Sequence, residues 1–301
     1  MKNAIYYFYQ MTSYDIHKNN KNYFFKSSVN KYALIHTELP IEIIEKVKKI
    51  SFEMLKSGLI SNELINNKTN SIVTNIDGIN YVLMRYYVNR TNTININDVL
   101  AFTNNSYSVA HHFNREINWK TLWSDKIDYM EYQILNFGKK NKIIRESFSY
   151  YVGLGENAIC LLNNLTNNIY LSVQHKRMNC NYTHFDLYNP LNYIIDSRVR
   201  DICEYIKSRF FNNVKFGLND ELKNLIINQH YTHDEYILFL SRIMFPTYYF
   251  DLFEKIVVDN EETSKIKKII NKVQEFEIFL KNLYIYLCQL TEMPDIEWLK
   301  K

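Results

Sequence analysis

The sequence predicts an α+β fold in which a small strand-rich N-terminal part is followed by a larger helical one. Three observations lead there. Six glycines and four prolines in 301 residues leave little room for the sharp turns of a β sandwich and favour long helices. Short aromatic and β-branched runs are concentrated before residue 90. From residue 96 onward the apolar residues recur at helical spacing instead.

The first part reads as a small sheet. Ile5–Tyr9, Tyr23–Phe25 and Lys31–Thr37 are predicted strands separated by Asn and Ser turns. Pro40 then sits where a helix would begin, Glu42 and Glu45 fall early, and Ile43, Val47, Ile50 and Met54 trace an apolar face ending near Gly58. Ser71–Thr74 and Tyr81–Tyr87 flank Asn75-Ile76-Asp77-Gly78, whose Asp-Gly is a hairpin signal.

The helical part is predicted to include Asp98–His112, Trp119–Phe137 and Ser147–Leu162. Thr232-His233-Asp234-Glu235 spells a capping box before an apolar run, and Ile266 through Leu287 repeat at helical spacing. The length suits one large domain or two abutting lobes, placed at 1–90 and 91–301, with the junction near residues 88–96.

Charge and composition exclude several function classes. A net charge of +4 is spread among asparagines and acidic residues, which reads as a solvated surface rather than a nucleic-acid footprint. Cys160, Cys180, Cys203 and Cys288 lie far apart with no C-x-x-C spacing, so a reducing compartment is expected. No segment has the ~20 apolar residues of a membrane span, and the N-terminus lacks a leader pattern, so no membrane partner and a cytoplasmic location are expected. His230 and His233 lack a third ligand and mark the exposed start of a surface helix. His111 and His112 fall late in a predicted helix, where they suit its negative end. Tyrosine and phenylalanine number 25 and 18, mostly inside apolar-periodic segments, so core packing is their expected role. Phe245-Pro246-Thr247-Tyr248-Tyr249-Phe250 is read first as a packing corner and second as an interface.

Four stretches carry a more specific resemblance. They are Trp119-Lys120-Thr121-Leu122-Trp123, Tyr151–Ile159 with Gly153 and Gly155, Arg198–Lys207, and Arg242–Asp251. Together they resemble the YutH type of spore coat-associated proteins, relatives of choline and aminoglycoside kinases. The resemblance implies a bilobal protein-kinase-like fold, with any nucleotide bound between a small β-rich N-lobe and a helical C-lobe. It does not by itself imply catalysis, since fold and chemistry separate readily.

A kinase needs a phosphate-covering loop, a strand lysine paired with a helix glutamate, a catalytic aspartate and metal-holding Asn and Asp side chains. No glycine precedes Gly58, so Asn19, Asn20, Lys21 or Ser27-Ser28 would have to approach the phosphates. The strand-lysine position falls on Ile35 or His36, and Lys31 could substitute only from elsewhere on the strand. The catalytic loop has two readings. In one, Gln174-His175-Lys176-Arg177 occupies it and Arg177 stands in place of the base. In the other, His184-Phe185-Asp186 supplies the base Asp186, Asn192 follows one residue late, and Asp196 or Asp201 completes the metal site. Asp186, Asn192 and Asp196 also have ordinary roles open to them: Asp and Asn before Pro190 build turns, and Asp196 could cap a helix starting near Ser197. Asp201, with the i,i+4 pair Arg200 and Glu204, is assigned a structural role at the start of an amphipathic helix.

These readings favour a kinase-fold protein with degenerate phosphotransfer motifs, acting through a protein partner as a coat-associated or assembly factor, in the cytoplasm or at the spore coat. They assign no cofactor. The alternative is an atypical small-molecule kinase, which would require ATP and magnesium.

Overall fold

The computed structural model describes residues 1–88, 90–113, 116–137, 141–212, 217–258 and 262–300. It is a mixed α+β structure of two compact units: Met1–Asn114 with Leu171–Asp196, and Arg115–Tyr170 with Ser197–Lys301. This grouping follows contacts, whereas a division at residue 90 follows secondary structure, and residues 171–196 fold with the strand-rich unit.

The first unit opens with helix α1 (Lys2–Tyr9), then strands β1 (Tyr14–Asn19), β2 (Asn22–Ser27) and β3 (Asn30–His36), helix α2 (Ile41–Lys56) and strands β4 (Glu63–Ile65), β5 (Thr74–Ile76) and β6 (Ile79–Tyr86). The sheet is antiparallel with order β1-β2-β3-β6-β4, and β5 also pairs with β6. The β1–β2 turn is only Asn20-Lys21, between paired Asn19 and Asn22, with Asn20 at φ 53°. A two-residue turn of this hand matches strand twist, so the hairpin closes tightly. Asp77 and Gly78, at φ 52° and 82°, close β5–β6 the same way, as their sequence predicts.

Residues 5–9 are not a strand. Ile5 and Tyr9, four apart, are buried against Phe25, Tyr32, Leu34, Ile76, Tyr81 and Leu83, with Met1, Ala4 and Phe8 packed beside them. That spacing is one face of a helix, and burial against the finished sheet overrides the β preference of the aromatic run. The apolar face of α2 runs through Ile44, Val47, Ile50 and Met54, with Pro40 as N-cap, one residue off the expected start. β5 is shorter and later than the predicted 71–74, while β1 and β4 carry too few β-formers to be read in advance.

Helices α3 (Ile96–Asn105) and α4 (Tyr107–Ala110) replace one predicted helix. They part at Ser106, whose buried hydroxyl donates to Thr103 O at 3.2 Å and competes with the helical ladder. After α5 (Trp119–Phe137) and α6 (Lys142–Leu161), which belong to the second unit, the chain returns to the first as β7 (Leu171–His175), the short helix α7 (His184–Leu187) and β8 (Tyr193–Ser197), which pairs with β7.

The second unit continues with α8 (Arg200–Asn212), α9 (Asp220–Ile227), α10 (His233–Met244), α11 (Thr247–Val258), α12 (Ser264–Ile270), α13 (Val273–Leu290) and α14 (Glu297–Lys300). The expected run from Ile266 to Leu287 divides between α12 and α13. α10 is buried from Asp234 to Met244, so it is not the surface helix its charged start suggests, although His230 and His233 themselves are exposed. The capping box is present, Thr232 N donating to Glu235 Oε2 at 2.9 Å and Glu235 N to Thr232 Oγ1 at 3.2 Å.

Burial is possible because each charged group at its ends is met. Asp234 accepts from Thr166 N and Asn168 N, both at 2.8 Å. Glu235 accepts from Arg198 Nε and Nη2 at 2.8 and 2.6 Å and from Tyr170 N at 3.0 Å. At the other end the Lys207 ammonium, 1% exposed, donates to Arg242 O (2.7 Å), Phe245 O (3.1 Å) and Thr247 Oγ1 (2.9 Å) and lies 2.8 Å from Glu204 Oε1. These are carbonyls the helix cannot bond itself. Replacing Lys207 with Met should lower unfolding stability by about 3–5 kcal/mol, because Glu204 and two helix-end carbonyls lose a buried cation. Urea unfolding of Lys207→Met measures this, and an unchanged midpoint would remove the cap from the account.

Candidate functional site

Within the first unit, the C-terminal end of β3 and the 182–192 segment enclose a hollow of about 350 Å³. Ile35, His36, Thr37, Glu38 and Leu39 form one wall; Tyr182, Asp186, Asn189, Leu191 and Asn192 form the other. None of these lining residues is Lys or Arg, and two are carboxylates. His36 lies 3.7 Å from Glu38, one of these two carboxylates.

Asp186 reaches this hollow on α7, but its carboxylate already has work. Oδ2 accepts from Thr183 N at 2.9 Å and Thr183 Oγ1 at 2.8 Å, which makes Asp186 the third residue of a capping box. Asn192 is similarly engaged: its amide accepts from Arg177 N at 3.1 Å and donates to Arg177 O at 2.7 Å, while its carbonyl accepts from Lys176 N at 2.8 Å. Asn189 turns inward to accept from Leu191 N at 3.1 Å. The oxygen-bearing side chains converge on one hollow, yet each is already engaged, Asp186 by Thr183, Asn192 by the Arg177 backbone and Asn189 by Leu191 N.

The two sequence readings of the loop are joined here. Buried His175, at the end of β7, donates through Nε2 to Leu187 O at 2.8 Å, since a carbonyl can only accept. It therefore holds the turn that carries Asp186. Arg177, the other candidate for the base position, is exposed and bonds through its backbone to Asn192. Burial holds the neighbouring Lys176 ammonium below its ordinary pKa.

Sequence reasoning did not find Asn62. It is fully buried just after α2, its N–H donates to Tyr188 O at 2.9 Å and its amide to Phe185 O at 3.3 Å. Ser51 Oγ donates to Asn62 O at 2.8 Å, so α2 anchors α7 through this residue. A lone Asn between two elements gives no pattern to read. Glu38 was also missed, because nothing local marks it as facing a hollow.

The remaining candidates lie elsewhere. Asp196 is 3% exposed within β8, rather than at a helix start, and is not among the residues lining the hollow. Lys31 is exposed and pairs with Tyr86 at the far end of β3 from His36. Glu42 and Glu45 form no ion pair among the described residues. No group of three or more potential ligands placed to hold a metal occurs among the described residues.

In the second unit, Asp201 is fully buried in the first turn of α8. Glu204 accepts from Thr247 Oγ1 at 2.9 Å. Burial opposes its charge, but Lys207, Arg200 and Thr247 outweigh that and hold its carboxyl below the ordinary range. Burial likewise pulls Lys207 below its ordinary value despite Glu204.

The four stretches singled out by sequence also meet in this unit. Trp123 stacks on Phe245 with centroids 4.5 Å apart, and the Arg242 guanidinium lies 5.7 and 6.0 Å from the Trp123 and Trp119 rings. Tyr151 stacks on Tyr249 at 3.7 Å. A Cβ at Gly155 would come within 3.0 Å of Ile127 and 3.6 Å of Phe245 and Pro246. The Pro246 turn is thus a packing corner, with Phe245, Tyr249 and Phe250 buried.

The antiparallel sheet and larger helical part define a kinase-like phosphotransferase fold. Its solved relatives include an aminoglycoside phosphotransferase from Alicyclobacillus acidocaldarius (TM-score 0.65, 10% identity, 93% of this chain and 94% of that one). Another is spectinomycin phosphotransferase APH(9)-Ia in its AMP-bound complex (TM-score 0.57, 10% identity, 97% and 98%). Residues 2–283 match the family "Spore coat putative kinase YutH", and the chain belongs to that family. It is 26% identical over 211 residues to the endospore coat-associated protein YutH of Bacillus subtilis (strain 168), a match spanning 61% of each chain.

If Asp186 serves chiefly as a cap, Asp186→Ala should cost about 0.5–2 kcal/mol in thermal or urea unfolding. No loss of stability in that variant would show that the capping contacts contribute nothing.

Proposed function

We propose that this chain has given up phosphotransfer and acts by binding a protein partner, as a coat-associated or assembly factor in a spore-forming source. The carrying observation is the wall of the hollow, where Ile35 and His36 stand at the end of β3, Glu38 and Asp186 contribute carboxylates, and no lining residue is Lys or Arg. A triphosphate entering it would meet like charge, at a cost near 4 Å of about 1 kcal/mol per pair in water and about 4 at an effective dielectric of 20.

Magnesium could offset that charge, but the residues present do not fit it well. Asp186 Oδ2 is committed to Thr183 and the Asn192 amide to Arg177, so a metal would have to displace those bonds. Asp196 is not on the wall. The β1–β2 turn of two residues also leaves no loop to fold over phosphates. Magnesium's demand for near-octahedral oxygen geometry makes this set a poor match.

A second reading has one observation in its favour: Asp186, Asn189 and Asn192 line the same hollow. Under it, the chain is an atypical ATP-dependent small-molecule kinase of the choline or aminoglycoside kinase type. Asp186 would be the base, with Asn192 and Asp196 or Asp201 as metal ligands, in a fold divided at residue 90 into N- and C-lobes. The spectinomycin phosphotransferase relative, bound to AMP, makes nucleotide the cofactor to test.

Partner binding accords with the coat-associated description of the B. subtilis relative. No helix among the described residues is long and apolar enough to cross a membrane, and neither a membrane nor a nucleic-acid partner is proposed. Cytoplasm before assembly and the coat afterwards are the proposed locations.

ATP turnover, measured with purified chain, magnesium and a panel of small alcohols and amines, is expected to stay at the uncatalysed rate. Turnover that disappears in Asp186→Asn would overturn the inactive reading and establish the second one.

A further inference from the structure

Two adjoining hollows, of about 690 Å³ along α1 and about 540 Å³ beyond its C-terminal end, share Gln10, Met11 and Thr12 as a common wall. We propose that they form one groove that binds an acidic oligosaccharide, separate from the hollow at Asp186.

The first ground is the aromatic lining. Tyr6, Tyr7 and Tyr14 are 65%, 61% and 44% exposed along this groove. Burying such rings is a large source of folding stability, and here α1 spends only Ile5, Tyr9 and their neighbours on the core. Flat rings held at a surface suit the C–H face of a sugar, and the Tyr6 and Tyr7 hydroxyls suit its polar rim, the Tyr14 hydroxyl already donating to Ser28 O.

The second ground is the polar lining. Asn3 and Gln10 offer amides that both donate and accept, the pairing that neighbouring sugar hydroxyls require. Ser13 is 2% exposed and its Oγ has no hydrogen-bond partner. A buried hydroxyl of that kind is normally satisfied, and a ligand hydroxyl or a bridging water in the groove would do so.

The third ground is charge. Lys2 and Lys68 line the larger hollow, and among the described residues no carboxylate lines either one. Lys68 is well placed, its ammonium 3.3 Å from the Tyr7 ring centroid and its backbone N–H bonded to Phe8 O at 2.8 Å. Two cations select an anionic ligand, yet are too few for a nucleic-acid backbone, whose binding rests on many phosphate contacts.

The test is calorimetric titration of the full chain with trigalacturonate and, separately, with maltotriose. The acidic trisaccharide should bind at least about tenfold more tightly than the neutral one. Tyr6→Ala/Tyr7→Ala should weaken it by at least about tenfold, and Lys2→Gln/Lys68→Gln should abolish the preference for acid. All four side chains are at the surface, so thermal midpoints should match the parent and separate lost binding from lost fold. No heat with either sugar up to about 10 mM, equal binding by the variants, or tighter binding of a phosphopeptide or of oligo(dT) would each overturn the proposal.

Discussion

A helix buried along almost its whole length imposes the constraint on which the second unit depends. α10 presents apolar side chains on every face from Tyr236 to Met244 except at Ser241 and Arg242, and it is buried from Asp234 onward, its first residue His233 being exposed. Each unpaired polar group there would cost on the order of 1–3 kcal/mol, so the chain must bring partners to it. Arg198 comes to Glu235, the 166–170 backbone to Asp234 and Glu235, and Lys207 to the C-terminal carbonyls. Arg198 lies just before α8 and Lys207 within it, so one segment satisfies both ends of another. The amphipathic register of α8 follows from that double duty.

The same frame accounts for the four stretches that resemble the family. The Trp119–Trp123, Tyr151–Ile159, Arg198–Lys207 and Arg242–Asp251 stretches supply the stacked rings, the close-packed glycine, the half-buried Arg198 and buried Lys207 cations, and the Pro246 turn. None of these stretches contributes a residue to the hollow at Asp186. The packing built by these four stretches is therefore separate from the hollow at Asp186. The same separation lets a protein keep a phosphotransferase fold while its β3 end carries isoleucine and histidine.

What the sequence discloses depends on how local the cause is. The Asp77-Gly78 hairpin and the Thr232–Glu235 box are decided by a few adjacent residues, and both were legible. α5 was legible to its ends because its pattern is long. α1 was not, because the helical face of Ile5 and Tyr9 acquires meaning only against Phe25 and Leu83 of the completed sheet. Lys207 was hidden for the opposite reason: a lysine on a charged helix reads as solvated until α10 and Thr247 surround it. At the site, Asp186 and Asn192 could be named from their residue types. Their present engagements could not, since no long apolar run follows Thr183 to mark it as a cap and Arg177 meets Asn192 only across fifteen residues of chain, and neither Asn62 nor Glu38 belongs to any periodic pattern.

The central claim is that the kinase-like fold persists here without a nucleotide complex. Calorimetric titration of the purified chain with ATP, with and without magnesium, tests it most directly, because every phosphotransfer scheme requires that complex and a binding factor does not. The account predicts no heat of binding up to about 1 mM ATP, equivalent to less than about 4 kcal/mol of affinity. Magnesium-dependent binding in the micromolar range would contradict it and return Asp186 to the role of catalytic base.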